Sequence, residues 1–225
     1  MYFDIYQILD PEHALQIGKI VDSMEWKQGQ ARTQEATGTV KRNLEIKASD
    51  SEEAKQILRE LGNKIVESPI RSEHFLKKSF GFKFNKYTDT GEYQRHGDAP
   101  IMGGTVRTDL ACTLSLSDPS TYKGGDLCYE EPNGEHTKIR LLPGQAVVYP
   151  CHMPHWVEPV TEGSRISAIT WFESMFRDVE QRNLVRRFNR TLNEMEAKNM
   201  GKEDGTHVTL GTIYSRLIRM WCDYE

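Results

Sequence analysis

The sequence predicts a mainly β protein, a barrel or sandwich, with flanking helices. Between residues 80 and 173, apolar residues alternate with polar ones, as expected for strands with one buried face. Turn signals recur within this part, at Asp118-Pro119, Gly124-Gly125, Asn133-Gly134 and Pro143-Gly144. Before and after it, the hydrophobic spacing is that of helices.

A chain of 225 residues suits one domain with an extension. We expect an N-terminal helical region packed on the barrel over residues 1–78 and the barrel core over 79–176. Residues 177–225 should form a C-terminal helical extension.

The N-terminal region should contain two helices. Asp10 can cap the first, with Pro11 at its first position. Ala14, Ile17, Val21 and Met24 then share one apolar stripe. A polar stretch, 27–43, is expected to be a surface loop.

The second helix is predicted to open with a capping box, Ser49-x-x-Glu52, and to end at Pro69. Its apolar stripe consists of Ala54, Ile57, Leu58, Leu61 and Ile65.

Alternation in the core region starts at Phe80, Phe82 and Phe84 and is clearest over 106–117. There, one face is apolar and should pack under helices (Val106, Leu110, Cys112, Leu114, Leu116). The other face is small or polar and should line an internal pocket (Arg107, Asp109, Ala111, Thr113, Ser115). Further strands are expected near 126–130, 136–142, 146–150 and 165–173.

The C-terminal region carries two more helical stripes, separated by a polar linker over 198–207. The first consists of Val185, Phe188, Leu192 and Met195, and the second of Ile213, Leu217 and Met220. These stripes can pack on the barrel or form a homodimer. The arginines of this region are expected to form a solvated helix face (Arg177, Arg182, Arg186, Arg187, Arg190).

Composition narrows the class of protein. A net charge of −4 disfavours nucleic acid as a partner. The four cysteines form no CxxC pair, which is typical of reduced thiols in the cytoplasm. No signal peptide is recognisable, and no apolar run reaches the roughly 18 residues of a membrane span. We therefore expect a cytoplasmic enzyme without a membrane partner.

A candidate metal site is the most informative feature. His96 and Asp98 would project from the same face of a strand, and a later histidine can complete a set of two imidazoles and one carboxylate. This facial set leaves positions open for substrates and suits non-haem Fe(II). His155 is the preferred third ligand, with His152 as its rival. The remaining histidines are expected at the surface (His13, His74, His136, His207).

Arg165 lies ten residues after His155 and shares a strand face with Ser167, Ile169 and Trp171. A guanidinium inside a barrel is costly unless an anion meets it. One interpretation is a clamp for the carboxylate of a cosubstrate. The alternative is a core ion pair with Asp109 or Glu173.

With these residues in place, the sequence resembles the Fe(II)- and 2-oxoglutarate-dependent dioxygenases, and among them the PKHD-type hydroxylases related to prolyl 4-hydroxylases. The likeness covers most of the chain and rests on a series of segments: Phe84-Asn85-Lys86-Tyr87, Tyr93-x-x-His96-x-Asp98, Arg107-Thr108-Asp109-Leu110, Tyr122-x-Gly124-Gly125-Asp126-Leu127, Pro143-Gly144, His155-x-Val157-x-Pro159-Val160 and Arg165.

The resemblance implies a double-stranded β-helix, a jelly-roll (cupin-like) barrel. It implies Fe(II) on His96, Asp98 and His155, and 2-oxoglutarate with its far carboxylate on Arg165. Ser167, which shares the strand face of Arg165, could donate a further hydrogen bond to that carboxylate. Tyr87, Thr113 and Ser115 match positions that meet the cosubstrate, although Tyr93 competes with Tyr87 for this role. O2 is the co-reactant, and L-ascorbate is the expected reductant.

The sequence departs from the family pattern at Asp126, where glutamate is usual, and at Arg95, where aromatic or small residues are common. Arg95 can contact substrate or solvent. Tyr93, Arg107, Asp109 and Trp171 are further candidates for the substrate pocket.

The expected reaction hydroxylates an unactivated C–H bond of a peptidyl residue, proline first, with release of succinate and CO2. A free amino acid or other small metabolite as substrate, or a non-catalytic sensor of iron and 2-oxoglutarate, are the alternatives. Segments 27–43 and 88–105 are expected to shape the entrance.

Overall fold

The computed structural model describes residues 3–29, 39–131 and 133–224, and shows the predicted mainly β fold. A seven-stranded antiparallel sheet forms one wall. In order across the sheet, it contains β1 (Asp4–Gln7), β13 (Gln145–Pro150), β9 (Leu110–Ser115), β16 (Arg165–Ser174), β5 (Leu76–Tyr87), β4 (Leu44–Lys47) and β2 (Lys27–Gln28).

A five-stranded antiparallel sheet contains β12 (His136–Ile139), β11 (Leu127–Glu130), β14 (His155–Val157), β6 (Glu92–His96) and β3 (Lys41–Arg42). Two short ribbons complete the strands: β7 (Ile101–Met102) with β8 (Val106–Arg107), and β10 (Lys123–Gly124) with β15 (Val160–Glu162). Hydrogen bonds among the described strands give separate sheets, not one closed barrel.

Two helices cover the larger sheet. In α1 (Pro11–Asp22), the predicted cap is present, because the Asp10 carboxylate accepts from the backbone N–H groups of Glu12 and His13. The predicted cap of α2 (Glu52–Glu67) was wrong by two residues. Ser51, not Ser49, accepts from the Ala54 N–H. A short α3 (Pro69–Glu73) follows.

The main core lies between these helices and the outer face of the larger sheet. It combines Ala14, Ile17 and Val21 of α1 and Ala54, Leu58, Leu61 and Ile65 of α2 with Leu110, Leu114 and Ile166. The opposite face of β9, with Ala111 and Thr113, lines an internal cavity. The apolar face predicted for this strand is therefore confirmed, whereas the predicted pocket-lining face is confirmed only at Ala111 and Thr113.

The expected surface loop at 27–43 was partly wrong. Its ends form β2 and β3, and Lys41 and Asn43 are buried. Residues 30–38 lie outside the described residues. The chain passes from β3 in the smaller sheet to β4 in the larger one within a few residues. The N-terminal region thus contributes strands to both sheets as well as helices.

The C-terminal extension forms α4 (Val179–Ala197) and α5 (Thr206–Trp221), as predicted. The expectation of a solvated arginine face on α4 was wrong for part of the stretch. Arg182 is 2 % exposed, and the guanidinium of Arg186, also buried, forms an ion pair with Asp4 of β1. Arg190 reaches both Asp4 and Glu73. These pairs dock the arginine side of α4 on β1 and α3, whereas Phe188 of its apolar stripe stacks on Tyr214 of α5.

His74 corrects another expectation, because it is 2 % exposed and not at the surface. Its Nδ1 accepts from Arg186 at 3.3 Å, so its protonated Nε2 donates to the Tyr6 hydroxyl at 2.9 Å. Burial, followed by the charge of Arg186, lowers the pKa of His74 to about 3. His136 is exposed, whereas His13 and His207 are half-buried.

None of the helices in the described residues has the length and apolar character that a bilayer span requires.

Candidate active site

Two neighbouring strands bring the candidate metal ligands together. β6 ends at His96, β14 begins at His155, and these two residues lie opposite each other in the pairing of the strands. Nε2 of His155 is 3.7 Å from Asp98 Oδ2, and Nε2 of His96 is 3.9 Å from Asp98 Oδ1. One ligand atom from each residue lies within 4.8 Å of the others.

Asp98 reaches the site differently from the prediction. We expected it to share the strand face of His96, but the strand ends at His96. Asp98 follows Gly97 in a loop, where its backbone N–H donates to the carbonyl oxygen of Cys151 at 3.0 Å. This bond ties the loop to the segment that leads into β14. A tertiary contact, and not strand alternation, therefore places the carboxylate.

Both histidines are held in the tautomer that a metal needs. The Nδ1–H of His96 donates to the Gln94 carbonyl at 2.7 Å, and that of His155 donates to the Met153 carbonyl at 2.9 Å. Each Nε2 therefore keeps its lone pair. Burial, followed by the proximity of His155, lowers the pKa of His96 to about 3, so its imidazole is neutral at pH 7.

The donor set fits a divalent metal ion. Asp98 Oδ2 is buried and has no hydrogen-bond partner among the described residues, as expected for an oxygen that binds a cation. Two imidazoles and one carboxylate on one side of the site suit Fe(II) and leave the other side open. In the described part of the chain, no other group of three potential ligands comes together, and His152 is an exposed loop residue outside this group.

A cavity of about 720 Å³ opens beside these ligands, between the two sheets. Arg165 extends into it from β16, with its guanidinium 5.5 Å from the centre of the Tyr87 ring. Arg165 is 8 % exposed, yet no carboxylate of the described residues lies within ion-pair distance of it. Ser167, one position further along the same face, has a buried hydroxyl without a partner in the described chain. Together they fit a carboxylate ligand such as the far end of 2-oxoglutarate.

The alternative ion pairs of Arg165 are not formed. Asp109 and Glu173 instead bind Arg107, at 2.9 and 3.4 Å. Asp109 also accepts from the Ser174 N–H at 2.8 Å. Arg107 and Asp109 lie outside the cavity lining, so the structure does not support their predicted place in the substrate pocket.

The other predicted site residues divide into two groups. Tyr87, Tyr93, Thr113 and Trp171 line the cavity. Ser115 does not, because it is buried and donates to the Ser117 carbonyl at 3.2 Å. Arg95 is largely exposed and forms an ion pair with Glu130 at 2.6 Å, so it faces solvent.

Sequence analysis missed several lining residues: Lys41, Glu45, Lys83, Asn85 and Tyr149. A signal was present for Lys83 and Asn85, which alternate with the phenylalanines of β5 and share a face with Tyr87. For Lys41 and Glu45 there was none, because their position depends on how β3 and β4 join the two sheets.

The fold and this site define a class of enzyme. Residues 82–173 match the model of the 2OG-Fe(II) oxygenase superfamily. Among solved structures, a prolyl 4-hydroxylase from Pseudomonas putida aligns with a TM-score of 0.54 and 19 % identity, over 77 % of this chain and 92 % of that chain. A 2OG-Fe(II) oxygenase-family oxidoreductase from Burkholderia pseudomallei gives a TM-score of 0.57 with 13 % identity, over 76 % of this chain and 85 % of that one. The jelly-roll fold is thereby confirmed.

A comparison of sequences identifies the family within that class. The chain is 31 % identical to a PKHD-type hydroxylase from Paraburkholderia xenovorans, over 99 % of this chain and all of the relative. A PKHD-type hydroxylase from Burkholderia thailandensis is equally similar over the same share of both chains. The chain belongs to the PKHD-type hydroxylases, and it is a 2-oxoglutarate-dependent dioxygenase. Membership of this family implies Fe(II) and 2-oxoglutarate.

Proposed function

We propose that this enzyme hydroxylates an unactivated C–H bond of a peptidyl residue, with proline as the first choice, and converts 2-oxoglutarate to succinate and CO2. One observation carries the proposal. A three-residue ligand set with free Nε2 atoms opens into the same cavity as a buried arginine that has no carboxylate partner in the described chain.

His96, Asp98 and His155 would hold the iron, which supplies, with 2-oxoglutarate and O2, the oxidising chemistry. The protein's own residues orient the reactants. The Gln94 and Met153 carbonyls fix the two imidazole rings. Arg165 and Ser167 would hold the far carboxylate of 2-oxoglutarate, beside Tyr87 and Thr113.

Substrate would enter over an apolar rim formed by Phe80, Ile101 and Met102. Ile101, Met102 and Gly103 belong to segment 88–105, which was predicted to shape the entrance. An apolar rim lowers the water content around the reacting atoms when substrate fills it.

A second candidate keeps the chemistry and changes the substrate to a free amino acid or another small metabolite. The size of the cavity, about 720 Å³, is that of a small-molecule site and supports this candidate. A sensor of iron and 2-oxoglutarate without turnover is the third.

The test measures succinate formed from 2-oxoglutarate by the purified protein with Fe(II), O2 and ascorbate, with and without proline-rich peptides. We expect succinate from the parent protein, none from His96→Ala, much less from Arg165→Ala at limiting 2-oxoglutarate, and parent-like amounts from the control His136→Ala, which removes an exposed histidine.

Stimulation by a peptide would support the peptidyl substrate, and stimulation by free proline alone would favour the small-molecule candidate. Bound iron without succinate under any condition would contradict the proposal and favour the sensor.

A further inference from the structure

One side of the cavity carries three charged residues, two buried and one half-buried, that the chemistry of iron and 2-oxoglutarate does not require. Lys41 of β3, Glu45 of β4 and Lys83 of β5 all line it, with side-chain exposures of 5, 5 and 18 %. Glu45 Oε1 accepts hydrogen bonds from both ammonium groups, that of Lys83 at 2.7 Å and that of Lys41 in closer contact. We refer to these three residues as the lysine cluster.

The lysine cluster has one positive charge in excess. Burial raises the pKa of Glu45, but Lys83 and Lys41 outweigh this and lower it, so the carboxylate is ionised. Burial, followed by the charge of Lys41, lowers the pKa of Lys83 to about 8, which leaves it mainly charged at pH 7. No second carboxylate of the described residues pairs with either lysine. A buried, uncompensated cation is costly unless an anion meets it.

The register of the strands separates the lysine cluster from the expected cosubstrate site. Tyr87 pairs with Arg165, Asn85 with Ser167, and Lys83 with Ile169. The backbone of Lys83 therefore lies four residues, roughly 13 Å, along β5 from that of Tyr87. A five-carbon dicarboxylate anchored on Arg165 is shorter than this distance. Along β5, Lys83 lies between Tyr87, which pairs with Arg165, and Phe80 of the apolar rim, so the lysine cluster lies nearer than Arg165 to the side where substrate would enter.

Aromatic contacts connect the lysine cluster to both the metal ligands and the rim. The Lys41 ammonium lies 5.1 Å from the centre of the Tyr93 ring, and Tyr93 stacks on His96. The Lys83 ammonium lies 5.5 Å from the Trp171 ring, whose buried indole N–H lacks a partner among the described residues. Only the ring of Tyr93 would separate an anion bound at Lys41 from the metal ligand His96.

We propose that the lysine cluster recognises a carboxylate of the substrate, close to the carbon that is hydroxylated. The inference rests on the proposed oxygenase function and narrows its substrate class. The carboxylate can come from an acidic residue beside the target in a peptide, or from the free carboxyl group of an amino acid or C-terminal residue. Lys83 contributes most directly, because it is the more exposed of the two lysines.

The test uses paired probes that differ only in charge, titrated by calorimetry into protein loaded with Fe(II) and 2-oxoglutarate without O2. In the first pair, N-acetylproline carries a free carboxyl group and its amide is the neutral counterpart. In the second pair, an Asp-Pro peptide with both termini capped carries an acidic residue beside proline, and the Asn-Pro peptide is the neutral counterpart. We expect the parent protein to bind the carboxylate member of at least one pair about tenfold more tightly, and the preferred pair identifies the source.

Variants test whether Lys83 is responsible for the preference for the carboxylate probe. Lys83→Met should reduce the preference to within about twofold, and Lys83→Arg should retain it. Lys123→Met, which removes an exposed lysine paired with Glu162, is the matched control and should behave like the parent. Thermal unfolding verifies that each variant is folded.

Two outcomes would overturn the inference. One is equal binding of both members in every pair, including no binding of either. The other is an unchanged preference in Lys83→Met, with or without weaker binding of 2-oxoglutarate. Failure of the proposed function has a different signature, because it abolishes succinate formation in the parent protein while the binding experiment still reports on the cluster.

Discussion

The phenol ring of Tyr93 stacks on the imidazole of His96, with ring centres 3.5 Å apart and planes inclined by 18°. Residues three apart in a regular strand point to opposite faces. Here His155 lies opposite His96 and Val157 lies opposite Tyr93, so a step of two residues along β14 matches a step of three along β6. The register of the two strands therefore shifts between these pairs. Such an irregularity can turn both rings to the same side. Tyr93 thus supports a candidate metal ligand from the side.

This stack predicts a graded effect of substitutions at Tyr93 on metal binding. Tyr93→Ala should weaken Fe(II) binding about two- to tenfold, since aromatic stacking contributes roughly 0.5–1.5 kcal/mol. Tyr93→Phe keeps the ring and should bind like the parent. An anaerobic Fe(II) titration measures both, and equal affinity of Tyr93→Ala and the parent would show that the stack does not support the ligand.

Arg165 predicts a specific defect in cosubstrate binding. Arg165→Met should raise the apparent KM for 2-oxoglutarate at least thirtyfold, because loss of one partner from a buried charge pair costs about 2–5 kcal/mol. Arg165→Lys keeps the positive charge but loses the two parallel N–H donors of the guanidinium. Its KM for 2-oxoglutarate should therefore lie between those of the parent and Arg165→Met. Succinate assays over a range of 2-oxoglutarate concentrations give these values.

The matched control for this experiment is Arg95→Met, which removes an exposed arginine of a surface ion pair. A parent-like KM in Arg165→Met would exclude Arg165 as the carboxylate clamp.

Gly125 limits the space around Arg165. Its φ is +69°, and a Cβ there would lie 2.6 Å from Val160 Cγ2 and 3.2 Å from Arg165 Cδ. Gly125→Ala should therefore lower the melting temperature and raise the KM for 2-oxoglutarate. Gly134→Ala is the control, because Gly134 has a similar φ of +82° but no neighbouring heavy atom of the described residues within 4 Å of the added Cβ.

Both substitutions carry the same kind of left-handed backbone strain, about 1 kcal/mol. A difference between them therefore reports the steric contact alone, measured by thermal unfolding and succinate assays. Equal melting temperatures and equal KM values would refute the assigned contact.

His74 predicts a loss of stability in acid. Its pKa is about 3 in the folded protein, compared with 6.5 for the ordinary group. Between these values the unfolded chain binds the proton more readily, so stability is complete above pH 6.5 and falls as the pH decreases towards 3. At pH 5 the loss should be roughly 2 kcal/mol.

In His74→Gln, the amide can still accept from Arg186 and donate to Tyr6, but it does not titrate. Urea unfolding at pH 7 and pH 5 should show a smaller decrease for this variant than for the parent. The same decrease in both proteins would mean that His74 is not responsible.

Local signals were enough to predict much of the fold. The Asp10 cap, the α1 and α2 stripes and the apolar face of β9 were predicted correctly, because caps and hydrophobic period depend on residues close together in sequence. The cap of α2 was misplaced because Ser49 and Ser51 are both good caps followed by acidic residues. His74 and Arg186 were misassigned to the surface, since their burial depends on contacts with Asp4, which lies 70 or more residues away in the chain.

For the site, the sequence by itself determined the donor types, His96, Asp98, His155 and Arg165, and through them the class of enzyme. Only the tertiary structure decided how these residues meet. The Cys151 carbonyl places Asp98, a register shift brings Tyr93 to His96, and the passage from β3 to β4 puts Lys41 and Glu45 beside Lys83. The physical reason is that residue type fixes which bonds a side chain can make, whereas the pairing of distant strands fixes which partners it finds.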